Sequence, residues 1–213
     1  ADAVRAGKQR GVRVYAETCP QYLLLNDDVF KRPDGHLYAT CPQVKKPHDN
    51  DRLWQGLAKG DVQVIATDTC TFTTEQKAAW NGDFRKIPYG LPGVETMVPL
   101  MFTEGVGKKR FSVNQLVALV STNPAKLFGL YPRKGTLAGG SDADLVIFDP
   151  KKPETLHAEN LQSKCGWSPY EGWKLTGYPV MTIARGAVIA ENGKPVGDGR
   201  RGRFLQRKTG GTL

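Results

Sequence analysis

Histidine is scarce. The 213-residue chain has three, His36, His48 and His157, and no two are close enough for an HxH or HExxH zinc motif. That excludes a metal centre built from several histidines of this chain alone. Cysteine is thin as well: Cys19, Cys41, Cys70 and Cys165 form no CxxC pair and outline no disulfide framework. Reduced, buried thiols in a cytoplasmic protein are the expectation. No apolar run approaches the roughly 20 residues of a membrane span. The opening Ala1-Asp-Ala-Val-Arg5 has no secretory-signal pattern. Acidic residues are outnumbered, 21 against 30 Lys and Arg, giving a formal charge of +9.

What is present suits a folded chain. Hydrophobic residues at 39% supply a core, and 24 Gly with 14 Pro point to many turns. The basic excess gathers near the end, where Lys194, Arg200, Arg201, Arg203, Arg207 and Lys208 face only Asp198. Such a tail can bind nucleic acid. No zinc finger, RNP-type aromatic motif or basic helix accompanies it, so a solvated arm, or one docked on a neighbouring subunit, is the plainer reading. Neither nucleic acid nor membrane is expected as a partner.

Residues 1–10 read as the end of an amphipathic helix stopped by Gly11, followed by a β-rich run at Val12–Ala16. This entry in mid-element suggests a piece of a longer chain. Glu17–Leu23 leaves a strand for a loop or short helix, Leu37–Thr40 is a candidate short strand, and Asp49–Lys59 has helical spacing. Asp61–Asp68 is the clearest strand of the first half, apolar and β-branched. Residues 72–93 form a long Gly/Pro-punctuated loop, a kind that is usually functional. Helices are expected at Val94–Glu104, Ser112–Ser121 and Pro124–Phe128, with Ser112 and Asn123 as N-caps. Past Gly135 the pattern turns β: strands at Leu145–Phe148, Pro179–Arg185 and Ala187–Ala190, and turns at Asp149-Pro150, Arg185-Gly186 and Asn192-Gly193. The alternation of helix and strand before Gly135 suits an α/β barrel or parallel sheet.

Asp68 is the leading chemical candidate. It stands at the carboxyl end of a strand, where parallel α/β folds gather ligands and catalytic groups. A carboxylate there can bind a metal or act as a general base; a helix cap or turn aspartate is the alternative. Glu17, at another strand end, is catalytic or structural. Asp142 and Asp144 are read as turn residues whose carboxylates accept backbone N–H groups. Cys70 lacks a histidine partner and is read as a packed thiol. The three histidines fall in polar stretches and read as surface residues. Trp167, Tyr170 and Trp173 read as packing of the β part or a subunit contact rather than a ligand platform.

Several segments together resemble one family. They are Tyr15-Ala-Glu-Thr-Cys-Pro-Gln-Tyr-Leu23, Ile65-Ala-Thr-Asp-Thr-Cys-Thr-Phe72 with Glu75-Gln-Lys77, Ile87-Pro-Tyr-Gly-Leu-Pro-Gly-Val-Glu95, Ser121-Thr-Asn-Pro-Ala-Lys126, and the run from Tyr131 to Pro150. With Tyr170-Glu-Gly-Trp173 and Arg185-Gly186 they look like the C-terminal portion of dihydropyrimidinases and D-hydantoinases, cyclic-amide members of the amidohydrolase superfamily.

The resemblance implies the last part of a (β/α)₈ barrel over residues 1–135, the C-terminal share of a small β-sandwich over 136–192, and a basic tail over 193–213. It implies a binuclear zinc centre held by an HxH pair, a carboxylated lysine, two further histidines and an aspartate. By motif, Asp68 matches that aspartate, and no histidine of this chain matches the rest. It implies hydrolysis of small cyclic amides, dihydropyrimidines or hydantoins, to N-carbamoyl amino acids by a cytoplasmic homo-oligomer, commonly a tetramer. The isolated chain, lacking the other ligands, would be inactive. Cys41 stands where the family's serine meets the substrate's amide edge, and Tyr89 where the family commonly has asparagine; the family's contacts there run largely through the backbone. Allantoinase- or dihydroorotase-like chemistry, or a scaffold relative without catalysis, are the competing readings.

Overall fold

A computed structural model describes residues 1–199 and 201–213; Arg200 of the basic tail lies outside the described residues. The chain divides into two compact units, residues 1–101 with 155–174, and residues 102–154 with 175–213.

In the first unit, α1 (Asp2–Gln9) ends at Gly11, whose positive φ of 76° gives the helix its stop. β1 (Glu17–Thr18) pairs in parallel with β2 (Val64–Ile65), in the register Glu17↔Val64 and Thr18↔Ile65. Between them run α2 (Pro20–Leu24), two 3₁₀ turns and α3 (Pro47–Ala58), so the pair is joined by a helical crossover, as parallel strands require. α3 buries Trp54 and Leu57. The Trp54 indole donates to the Leu23 carbonyl at 3.0 Å, and the Asn50 amide donates to the Tyr22 and Leu25 carbonyls at 2.7 and 2.8 Å. These bonds satisfy the carbonyls left open at the end of α2. Arg5 donates to the buried Asp61 carboxylate from Nε at 2.9 Å, holding Asp61 below the usual carboxylate range.

The strands are shorter than the sequence suggests. Val12–Ala16 forms no ladder; Ala16 N–H goes instead to the Gln63 side-chain oxygen at 3.0 Å. Of Asp61–Asp68 only Val64–Ile65 is ladder-paired, with a further parallel bridge at Thr69↔Leu91. Leu37–Thr40 is not a strand: Gly35–Tyr38 is a 3₁₀ turn. Hydrophobic pattern sets which residues are buried, but a ladder forms only where a neighbouring strand's backbone lies in register beside them. The 72–93 segment holds α4 (Thr74–Ala78) and a 3₁₀ turn at Phe84–Lys86. α4 is capped by Thr73, which accepts Gln76 N–H at 3.2 Å and donates its own N–H to the Gln76 side chain at 2.8 Å. α5 (Met97–Met101) places Leu100 and Met101 fully in the core.

The second unit opens with a π-helical turn at Phe102–Gly107. Ser112 caps α6 (Val113–Val117) with a reciprocal box to Gln115, as its sequence position predicts. A π turn at Ala118–Thr122 then leads directly into α7 (Asn123–Leu127). Asn123 is therefore interior, with helical φ and ψ of −65° and −47°, and is not an N-cap. The wider π turn explains this: Pro124 cannot donate to the carbonyl four residues back, and the widened turn accommodates its ring.

The sheet has the order β3–β4–β5–β6 over Leu145–Thr155, Lys174–Ala184, Ala187–Glu191 and Lys194–Pro195. Both hairpin turns read from sequence are present, Arg185-Gly186 and Asn192-Gly193, each with two successive positive φ angles. Asp149-Pro150 is not a turn but lies inside β3, an edge strand, where a proline's missing N–H is tolerated. The tail is not a free arm throughout: Lys208 N–H donates to the Gly129 carbonyl at 3.0 Å and Gly211 N–H to the Lys126 carbonyl at 2.9 Å. It docks on the chain's own α7 terminus, where basic residues suit the negative end of the helix dipole.

Candidate functional site

β1 and β2 run parallel, so their carboxyl ends face the same way, and the chain beyond them builds a cavity of about 500 Å³. Glu17, Cys19, Tyr22, Pro42, Lys45 and Asp68 are among its lining residues. Asp68 comes three residues after Ile65 in a left-handed conformation, φ 48°, which aspartate tolerates better than most residues. Among the described residues no hydrogen bond or ion pair engages its carboxylate.

The surroundings of Asp68 are organised. Tyr22 donates its hydroxyl to the Pro42 carbonyl at 3.0 Å, and Thr40 Oγ1 donates to the same oxygen at 2.8 Å. Gln21 donates to the Thr67 carbonyl at 3.3 Å, tying α2 to the segment that presents Asp68. Burial, with the negative charges of Asp68 and Glu17 nearby, pushes the Cys19 thiol up to about 12. The Cys19 thiol therefore stays protonated and is no nucleophile. Burial also raises the Tyr22 phenol, Cys19 and Asp68 adding to the effect.

Cys41 is exposed, and its neighbour Pro42 lines the Asp68 cavity. Tyr89 lines a different cavity, of about 460 Å³, with Phe30, His36, Trp80 and Phe84. Its hydroxyl donates to the Phe84 carbonyl at 3.3 Å, and His36 stacks on Trp80 with ring centroids 5.7 Å apart. The two loops are nevertheless joined through backbone: Gly90 N–H donates to the Ala39 carbonyl at 2.9 Å.

The histidines do not converge. His48 lies 3.6 Å from Asp49, and His157 Nδ1 is 2.7 Å from Glu171, whose other oxygen accepts Ala158 N–H at 2.8 Å. Among the described residues no group of three or more His, Cys, Asp and Glu side chains could hold a metal. The donor set thus fits one ligand of a shared centre, the unengaged Asp68 carboxylate, and no more. Cys70 and Cys41 are exposed, against the expectation of packed thiols, while Cys19 and Cys165 are buried. Asp144 accepts a backbone N–H, but from the distant Arg185 at 2.8 Å rather than from its own turn, and it also pairs with Lys134; Asp142 meets the Arg133 and Lys134 side chains at 3.0 and 2.8 Å. Trp167 and Tyr170 pack in the first unit, not in the β part; the Trp167 indole donates to the Phe72 carbonyl at 2.8 Å.

The amidohydrolase family model matches residues 46–190. The chain belongs to the amidohydrolase family. It is 41% identical over 208 residues to the D-phenylhydantoinase of Escherichia coli O1:K1 / APEC, covering 97% of this chain and 45% of that protein. The crystal structure of dihydropyrimidinase from Brevibacillus agri NCHU1002 superposes with a TM-score of 0.96 at 39% identity, over 100% of this chain and 48% of that one. L-Hydantoinase (dihydropyrimidinase) from Arthrobacter aurescens gives 0.86 at 37%, over 92% and 44%. The chain therefore spans about half the length of the relatives it matches. This amidohydrolase chain has no helix among its described residues long and apolar enough to cross a membrane.

One residue of the site region went unassigned in the sequence. Lys77 is fully buried, 0% exposed, on α4. Its position within the Glu75-Gln-Lys77 motif was the available signal, but a lysine on a short polar helix ordinarily points to solvent.

Proposed function

We propose that this chain is the C-terminal portion of a metal-dependent cyclic amidohydrolase that opens dihydropyrimidine or hydantoin rings to N-carbamoyl amino acids. In this reading residues 1–135 complete a (β/α)₈ barrel, 136–192 join a β-sandwich, and 193–213 form the basic tail. The observation that carries it is the unengaged Asp68 carboxylate in a cavity beyond the carboxyl ends of two parallel strands.

Asp68 would hold one position of a binuclear zinc centre whose other ligands come from outside these 213 residues. When bound, the centre supplies acidified water and Lewis acidity towards the ring carbonyl. Asp68 orients the attacking water and takes its proton. It then delivers that proton to the ring nitrogen as the C–N bond breaks. The water's oxygen ends in the new carboxyl group, one of its hydrogens on the nitrogen, and the other is released as the carboxylic acid ionises. Backbone groups around Cys41 and Tyr89 hold the amide edge of the ring. The tyrosine side chain faces an aromatic-lined cavity beside that edge. The working form is a cytoplasmic homo-oligomer, a tetramer.

In the full-length protein, Asp68→Asn keeps the shape of the side chain and removes the base. Hydrolysis of dihydrouracil and 5-phenylhydantoin should fall by about 10²–10⁴-fold, the usual range for a lost acid–base group. Turnover within threefold of wild type would remove Asp68 from the mechanism.

A further inference from the structure

Lys77 carries an ammonium group into a site with no exposed surface. Among the described residues no carboxylate pairs with it. Its Nζ donates to the Ala39 carbonyl at 3.2 Å and lies 5.8 Å from the centroid of the Trp167 ring. That ring is itself fixed, by the indole bond to Phe72 and by edge contact with Tyr38 at 6.3 Å. A buried ammonium with so few partners is costly, and an apolar side chain of the same length would fill the space at less cost. The charge has an address: the Ala39 oxygen.

That oxygen is a junction. It also accepts Gly90 N–H at 2.9 Å. Ala39 stands two residues before Cys41, and Gly90 directly follows Tyr89. Gly90 sits at φ 145° with no room for a side chain, since a Cβ there would meet Cys70 Cβ at 2.4 Å. The loop therefore approaches as closely as a backbone can. A charge-assisted bond to a carbonyl that already accepts an amide strengthens the link between the segments it joins.

We propose that Lys77 is a positioning residue: by gripping the Ala39 carbonyl it fixes the spacing between the Thr40–Pro42 and Tyr89–Leu91 backbones, the two edges that hold the ring amide. The role at the ring rests on the function proposed above; the grip on the loops does not. It is tested in the full-length protein with Lys77→Met, which keeps length and loses the donor. KM for 5-phenylhydantoin rises on the order of tenfold, while kcat and bound metal stay within about twofold of wild type. Hydrogen exchange, read by mass spectrometry, quickens on the order of tenfold in the peptide spanning 87–93 and stays unchanged in that spanning 62–68. Lys77→Arg, which restores a cationic donor, recovers much of both effects. Unchanged exchange at 87–93 overturns the clamp, and so does equal acceleration in both peptides, which marks a merely structural lysine. Should Lys77→Met not fold, Lys77→Gln takes its place in both measurements. If the wild type opens no cyclic amide, the functional reading fails and the exchange measurement alone decides the clamp.

Discussion

Lys77 and Cys19 are buried within the same unit, and they drive alkaline stability in opposite directions. Burial lowers Lys77 from its ordinary 10.5 to about 8, against the opposing pull of Cys70. Between those values the unfolded chain holds a proton that the folded chain has released, so stability rises with pH across that interval. Burial raises Cys19 from 9.0 to about 12, so there the folded chain holds the proton and stability falls as pH climbs past 9. Tyr170, pushed up by burial, adds to the fall at higher pH. The Lys77 contribution is therefore exposed between pH 8 and 9, before the thiol opposes it. Urea melts across that unit of pH should show wild-type stability rising relative to Lys77→Met; parallel curves would mean that Lys77 titrates as a solvated lysine. Asp68 differs in kind from both, since its place near a strand's end and the motif around it are enough to single it out as a candidate. Lys77 was not, because only the three-dimensional packing of α4 against Trp167 and Ala39 reveals that it is buried.

Among the elements, those governed by local chemistry were the readable ones. Ser112 has the cap residue and its Gln115 partner three positions on, and both reciprocal bonds form. Ser112→Ala should cost about 1 kcal/mol in a thermal or urea melt, the usual worth of a cap; no change would mean that the helix start is held by packing instead. The turns Arg185-Gly186 and Asn192-Gly193 were equally plain, since positive φ at two successive positions selects its residues. Strand extent was not legible. Val12–Ala16 has the composition of a strand, yet its last N–H pairs with a glutamine side chain. The Leu37–Thr40 stretch is apolar because Tyr38 and Ala39 are buried, not because they pair in a sheet. Pro124 does stand in the first positions of α7, but a π turn before it joins that helix to the preceding one. Gly90 belongs to this scale too. Gly90→Ala forces a Cβ against Cys70 and should destabilise by about 1–3 kcal/mol while moving the Tyr89 loop. Unaltered stability together with unaltered exchange at 87–93 would mean that the close approach is dispensable.

At the scale of the whole molecule, the three histidines and the half-length match to the relatives bear on the same point. A binuclear centre needs about four protein donors or more around two ions. His36 stacks on Trp80, His48 lies beside Asp49, and His157 is paired with Glu171, so none stands with Asp68. One carboxylate cannot by itself hold two ions against water. The 213-residue chain, dialysed against zinc and then desalted, should therefore retain far less than two ions per chain, and it should open no dihydrouracil. Asp68→Ala in the isolated chain should leave the residual metal content unchanged, because a single exposed carboxylate binds zinc too weakly to survive desalting. In the full-length protein the same substitution should remove metal and activity together. Two tightly held zinc ions on the isolated chain would show that other donors of these 213 residues assemble around Asp68, and would overturn the proposal that its co-ligands come from elsewhere.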